Sequence, residues 1–459
     1  MKRREFFGAA AAASAALPGY LRSERSPGGL GGQVEKKEES LGGVPLNVLR
    51  SDFKKDLDEY AGFFLSHGID FERGGFMCSL DHDGTLVDTN KFHWFQGRGV
   101  WIFSHLYLHF GRNPRYLDVA RQTCDFMLRH FPEDKDKMRW ATVVARDGTV
   151  VQGYSNDPFG CYFGIEGMFE LSAAAGDERL FAEALDLYLR HNRFVRDPGH
   201  VFMTYAPGTR GFNMEMADLE IATQVLRRKD IPEVRRIADE CLAAIMDRFY
   251  DPELKLFNEL LDGNLNRIPG QRTQANPGHG VEVMWMVMDE ALRRGDTALF
   301  DRAKDRVLDL LEIGWDHIYG GMVYGINVGQ GCFEWPAVKP AGMTVEFREH
   351  GEVNYVKSQW SVSEVLIATL MAYEQGRHEW AARYFSQAKA VSDKKLSLRP
   401  HGYPLHLLFT DRVFTYQPHT MRKDNYHYMR AVMHCLAIFD RLMAKAGQDT
   451  KRAGNPQTS

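Results

Sequence analysis

Along much of the chain apolar positions recur at helical spacing, and short turns divide the runs into pairs. Phe110-Gly111-Arg112 leads to Tyr116 and Ala120, Ala175-Gly176-Asp177 to Phe181 and Ala184, Arg294-Gly295-Asp296 to Phe300 and Ala303, and Gln375-Gly376-Arg377 to Trp380 and Tyr384. In each case an apolar helix precedes the glycine and an amphipathic one follows, the signature of an αα-hairpin. Arg228-Lys229-Asp230-Ile231 marks a fifth hairpin without its glycine. With the ends of the chain added, the repeat predicts about twelve helices in six pairs.

A second symmetry runs through the same pattern. Asp70-Phe71-Glu72-Arg73-Gly74-Gly75-Phe76 and Asp316-His317-Ile318-Tyr319-Gly320-Gly321-Met322 both place an aspartate four residues before a Gly-Gly pair. Alternating runs follow, Phe76–Leu80 and Met322–Ile326, which predict hairpin strands. A Lys-x-x-Trp helix start comes next in each, at Lys91 and Trp94 and at Lys357 and Trp360. Helical pairs repeating round a closed ring, with small sheets over one end, predict an all-α fold, an (α/α)6 toroid over residues 46–447. The more apolar first helix of each pair then lines the middle. The inner helices run parallel, so their N-terminal ends gather at one mouth.

Composition adds a few boundaries. The chain has 459 residues, of which 44% are hydrophobic and 12% aromatic, ample for one large core. A net charge of −4 with no basic stripe argues against nucleic acid as a partner. The six cysteines are widely spread and form no C-x-x-C pair, so no zinc knuckle or redox motif is expected. Lys2-Arg3-Arg4-Glu5-Phe6-Phe7 and the alanine-rich run after it resemble a twin-arginine export signal over residues 1–21, with Ala13-Ser14-Ala15 offering the small residues a signal peptidase accepts. The expectation is a periplasmic protein without a permanent membrane span, a flexible linker over 22–45 and a disordered tail over 448–459.

Unusual polar groups mark four inner-helix starts. Asn276-Pro277-Gly278-His279-Gly280-Val281-Glu282 opens a helix that is apolar almost all round apart from Glu282. Asn276 suits the cap and Pro277 the first turn. Arg98 follows Phe92, Trp94 and Phe95 and precedes Trp101, where a guanidinium is costly to bury without an anionic or carbonyl partner. Lys357-Ser358-Gln359-Trp360 leads to Glu364, and Lys423-Asp424-Asn425-Tyr426-His427 leads to Arg430. His279 and His427 both fall in a first helical turn, where the helix dipole disfavours imidazolium and both rings should lean towards the neutral form. Each has a charged neighbour three residues on, Glu282 or Arg430, placed to orient it. Two such histidines at one mouth suit removal of a proton from one face and its return on the other.

Other readings compete. His279 alone reads as a packed core histidine. His279 with Glu282 could bind a metal, but the His-x-x-x-His helix with a third ligand usual for catalytic zinc is not evident, so no metal is expected. No nucleotide-binding glycine loop appears, and no cofactor is expected. A glycoside hydrolase on the same toroid would pair Glu282 with Glu364 or Asp157, and a non-catalytic sugar-binding toroid would use the same mouth.

Gly74-Gly75-Phe76 through Leu80-Asp81 and Asp83-Gly84, then Lys91-Phe92-His93-Trp94-Phe95-Gln96-Gly97-Arg98, resembles the opening signature of the N-acylglucosamine 2-epimerase superfamily, which includes cellobiose 2-epimerases and aldose–ketose isomerases. Tyr154–Phe159 with Glu166-Gly167-Met168, Pro277-Gly278-His279-x-x-Glu282, Lys357-x-x-Trp360-x-x-x-Glu364 and Tyr426-His427-Tyr428-Met429-Arg430 follow in the family's order from about residue 50 to 445. The resemblance implies an essential set of Arg98, His279, Glu364 and His427. The two histidines would act as acid and base at C2 of an opened sugar, through a cis-enediolate, with Arg98 on the oxygen. It further implies substrate contacts from Glu282, Trp360, Trp94, Asp157, Arg430 and Lys357, a 2-epimerase or aldose–ketose isomerase activity, and a possible homodimer. Trp101 and Trp285 are added as sugar-stacking candidates. Ala217 stands where disaccharide-acting members carry a histidine, His401-Gly402-Tyr403-Pro404 where many place Gly-Glu-Trp, and residues 328–354 form an insertion expected over the mouth. These departures bear on substrate choice.

Overall fold

Asn113, Asp177 and Asp296 each cap the second helix of a hairpin, their side chains accepting backbone N–H groups of its first turn. Gly176 and Gly295 end the first helices in the left-handed conformation that a glycine adopts without strain. The hairpin at 376 differs from expectation: its helix runs through Gly376, and Arg377 takes the left-handed position instead, at φ 52°.

The structure is a computed structural model that describes residues 39–134, 136–201, 205–268, 274–327, 356–420 and 422–453. The expected export signal, most of the expected linker and the insertion expected at 328–354 lie outside these residues. Twelve α-helices are present among them: α1 (Leu46–Phe63), α2 (His93–His109), α3 (Pro114–His130), α4 (Phe159–Ala175), α5 (Glu178–Val195), α6 (Phe212–Arg228), α7 (Pro232–Ala243), α8 (Pro277–Arg294), α9 (Thr297–Gly314), α10 (Gln359–Gly376), α11 (Glu379–Val391) and α12 (His427–Ala453). The even-numbered helices are the inner ring of an (α/α)6 toroid. The chain enters on an outer helix, so α1 pairs with the last inner helix, α12. Phe53 meets Phe439 edge-on at 5.5 Å, and the Tyr428 hydroxyl donates to buried Asp56 at 2.5 Å. None of these helices is long and apolar enough to cross a membrane.

Two boundaries move. Residues 40–45, assigned to the linker, form a small hairpin of the folded unit, with Leu41 buried and Glu39 paired to Arg377 at 2.8 Å. At the other end α12 continues to Ala453, past the expected start of the tail.

Short strands sit over the N-terminal end of the inner ring. Residues 91–92, 210–211, 274–275 and 357–358 each precede an inner helix and pair with a strand from another connection. The two Gly-Gly segments are true structural duplicates. Asp70 N–H binds Gly75 C=O at 3.0 Å, as Asp316 N–H binds Gly321 C=O at 2.9 Å. The lysines close both motifs, Lys91 Nζ at 3.0 Å from Asp70 and Lys357 Nζ at 2.9 Å from Asp316, and both lysines are fully buried. Although burial opposes it, Arg146 and Lys91 hold the Asp70 carboxyl down to about 2. The runs after the glycines are less regular than predicted: 76–80 makes only isolated bridges, and of 322–326 only Ile326 enters a strand. Their side chains are tied inward (Phe76 and Met322 are fully buried), which leaves little ladder to extend.

Glycines line the contact between α2 and α4 and let the two backbones come close together. A Cβ on Gly97 would lie 2.2 Å from the Phe163 carbonyl carbon, a backbone atom that cannot turn aside. Gly97→Ala is therefore expected to cost at least about 3 kcal/mol, read from the midpoint of denaturant unfolding at constant slope.

Candidate active site

Each of the six inner helices contributes an ionisable side chain to one layer across the ring: Arg98, Glu166, Glu220, Glu282, Glu364 and Arg430. Arg430 is the hub. Its Nη2 donates to Glu282 at 2.5 Å and Glu364 at 2.9 Å, and its Nη1 to Glu220 at 2.9 Å and the Tyr426 hydroxyl at 3.2 Å. Tyr426 in turn donates to Glu166 at 2.7 Å. One guanidinium cannot neutralise all these acids. Burial, then repulsion from Glu282 and Glu364 against the pull of Arg430, raises Glu220 to about 7. Burial and the charge of Glu220 push Glu166 well up.

Two imidazoles stand above this layer. His427 Nδ1 is 3.0 Å from Glu364 Oε1, and Glu364 Oε2 accepts the Trp285 indole at 2.7 Å. His279 Nδ1 is 3.0 Å from Glu259 Oε2, while Glu259 Oε1 accepts the backbone N–H of Asn276 at 3.1 Å. A carboxylate can only accept, so Nδ1 carries a proton in both rings and Nε2 is the atom left for chemistry, a lone pair when the ring is neutral and an N–H donor when it is charged. Both rings neighbour the Trp360 indole, whose centroid is 5.0 Å from that of His279 and 5.9 Å from that of His427.

The expectation that both rings lean neutral holds for His427 alone. Burial, then the nearby Arg98 cation, pulls its pKa well down; the Glu364 charge is already engaged by Arg430 and Trp285. For His279 burial acts in the same direction, but the Glu259 carboxylate outweighs it and the net shift is upward. The orienting partners also differ from the i+3 neighbours proposed from the chain. Glu282 turns to Arg430 and comes within 3.9 Å of His427, and Arg430 binds carboxylates rather than an imidazole. Both are almost fully buried beneath the rings, so they brace the site and do not line it.

Arg98 has the opposite character to Arg430. Its guanidinium carbon lies 4.0 Å from the Phe163 ring centroid and 4.8 Å from that of Tyr426, and no carboxylate pairs with it among the described residues; its Nε is buried without a hydrogen bond. A cation held by π faces with unsatisfied N–H groups is ready for an oxygen that gains negative charge. Trp94 and Trp360 are half-buried beside it and beside the histidines. Asp157 uses Oδ1 to cap α4 through Phe159 N–H at 2.9 Å and Oδ2 to hold the Trp94 indole at 3.1 Å, so both oxygens are committed.

Three expected contacts are not brought to the mouth. Lys357 is locked in its ion pair with Asp316. Trp101 stacks on His105 at 4.6 Å, deeper along α2, and Trp285 is buried under Glu364. Conversely, Glu259 went unnoticed because it lies seventeen residues before the Asn276 cap, in a turn whose role depends on what it meets. Its one signal is the polar pair Asn258-Glu259 interrupting the apolar Leu256-Phe257 and Leu260-Leu261. Replacing Glu259 with Gln removes the charge that raises His279. An NMR titration of the imidazole should show its pKa falling, and any rate limb that needs protonated His279 should move to lower pH.

The chain matches the family model described as N-acylglucosamine 2-epimerase over residues 74–431. An N-acylglucosamine 2-epimerase from Mus musculus is 29% identical over 354 residues, 74% of this chain and 78% of that one. Among solved structures, a cellobiose 2-epimerase from Spirochaeta thermophila aligns over 87% of this chain and 98% of its own with a TM-score of 0.68 and 18% identity. A D-mannose isomerase aligns over 84% of this chain and 97% of its own, with a TM-score of 0.69 and 16% identity. At such identities the two structures speak for the six-hairpin toroid alone.

Proposed function

Because the chain belongs to the N-acylglucosamine 2-epimerase family, we propose that it is a sugar 2-epimerase in which His279 and His427 exchange the C2 proton of an opened reducing sugar. The observation that carries the reading is the pair of imidazoles that share Trp360 as a neighbour, each anchored through Nδ1 on its own carboxylate. Neutral His427 is suited to take the proton. As the C2–H bond breaks, its electron pair forms the C1–C2 double bond and the carbonyl electrons move to O1, giving a cis-enediolate. Arg98 stabilises that oxygen charge. His279, whose imidazolium the Glu259 carboxylate stabilises, returns a proton to C2 from the opposite face. The roles exchange in the reverse direction, and no cofactor enters the proton transfer.

The alternative of a glycoside hydrolase asks Glu282 and Glu364 to flank a scissile bond. Their joint attachment to Arg430 turns both away from that task. An aldose–ketose isomerase would use the same residues and return the proton to C1. Incubation in D2O with mannose, glucose, N-acetylglucosamine, cellobiose and uronate sugars tests the class: deuterium should enter C2 of at least one sugar as its 2-epimer forms. A ketose product instead would establish the isomerase, and cleavage of a glycoside without C2 exchange would overturn the reading.

A further inference from the structure

Behind the Arg430 layer, the C-terminal halves of the inner helices line an open cavity of about 940 Å³. On its wall His105 and His109 stand one turn apart on α2, their ring centroids 4.3 Å apart. This is the His-x-x-x-His spacing that the helix of His279 lacks. From α4, Glu170 brings Oε1 to 2.7 Å from His105 Nδ1. One donor atom from each of the three residues falls within 4.8 Å of the others.

Two of the three donors are also supported. Trp101 stacks flat on His105, with ring planes 11° apart, and fixes its orientation. Gln224 Nε2 donates to Glu170 Oε2 at 2.8 Å, which leaves Oε1 turned to the histidines. His109 is exposed at the cavity wall, so an ion has a route in and a solvent-side position remains open. Among the described residues one other cluster has comparable spacing, Glu282 with Glu364 and His427, but there the Arg430 guanidinium already bonds both carboxylates.

We propose that His105, His109 and Glu170 bind a divalent transition-metal ion of the zinc class at the rear of the toroid, clamping α2 to α4. Two imidazoles and one carboxylate favour zinc or cobalt over magnesium or calcium, which prefer oxygen donors. Bonds of about 2.1 Å in a tetrahedral site set the donors roughly 3.4 Å apart, so the His105–Glu170 pair opens from 2.7 Å as the ion enters. The ion replaces the His105–Glu170 hydrogen bond, and water completes its shell from the cavity. The site lies apart from the C2 chemistry and does not depend on it.

The test uses the untagged full chain after chelator treatment, titrated with ZnCl2 by calorimetry and with CoCl2 by visible absorption. One zinc per chain with a Kd in the micromolar range or below, the ligand-field bands of tetrahedral cobalt, and a zinc-dependent rise in Tm are expected. His109→Ala, at an exposed position that leaves the core untouched, and Glu170→Gln should each weaken zinc about 100-fold. His427→Ala should retain one zinc. A wild-type Kd weaker than about 1 mM, unchanged binding in His109→Ala, or loss of zinc in His427→Ala alone would overturn the proposal, whichever sugar the enzyme turns over.

Discussion

Substituting His427 with Ala is expected to lower kcat/KM for net epimerisation by about a thousandfold while leaving the fold intact. The fold should survive because one face of the ring looks into the mouth and its loss frees Glu364 Oε1 only to Arg430, which already binds it. The informative measurement is exchange rather than turnover. If each imidazole serves one face of C2, His427→Ala still lets His279 exchange deuterium into one epimer, and His279→Ala lets His427 exchange into the other. Neither variant should interconvert the two. A variant that exchanges both epimers from one histidine would show a single-base reaction and sink the two-face mechanism.

The two lumen arginines should separate stability from catalysis. Arg430→Met leaves Glu220, Glu282 and Glu364 buried around an apolar side chain, and breaking such a pairing costs about 3–5 kcal/mol. Denaturant unfolding should register that loss, and the Glu220 pKa, which Arg430 holds down, should rise further. Arg98→Met removes a cation that has no ion-pair partner, so stability should stay within about 1 kcal/mol of the parent or increase. Its kcat should nevertheless drop by roughly 100- to 1000-fold, because the oxygen charge of the enediolate loses its donor. Equal destabilisation by both variants would contradict the division of labour between bracing Arg430 and poised Arg98.

Much of this arrangement is legible without coordinates because it is local. Asn276 does cap α8, accepting His279 N–H at 3.2 Å, and Pro277 occupies its first position. The turn glycines and aspartates mark the hairpins, since a left-handed residue and a first-turn acceptor are requirements of a few consecutive residues. Likewise the Asp70–Lys91 and Asp316–Lys357 motifs announce their duplication by spacing alone. Reading Lys357 as a sugar contact failed because a lysine before a tryptophan looks the same whether it faces solvent or a buried aspartate.

What the chain determined by itself was therefore the number of hairpins, the parallel inner ring and the presence of His279, His427, Arg98 and Glu364 at its helix starts and upper turns. Which charges meet was decided by the closing of the ring. Glu282 lies one turn from His279 on its own helix, yet it pairs with Arg430, 148 residues away. Glu259 reaches His279 from a turn 20 residues earlier. Those meetings set one imidazole basic and the other neutral, a difference that local position in a first helical turn cannot supply, because desolvation and Coulomb terms depend on distance in space and not on separation along the chain.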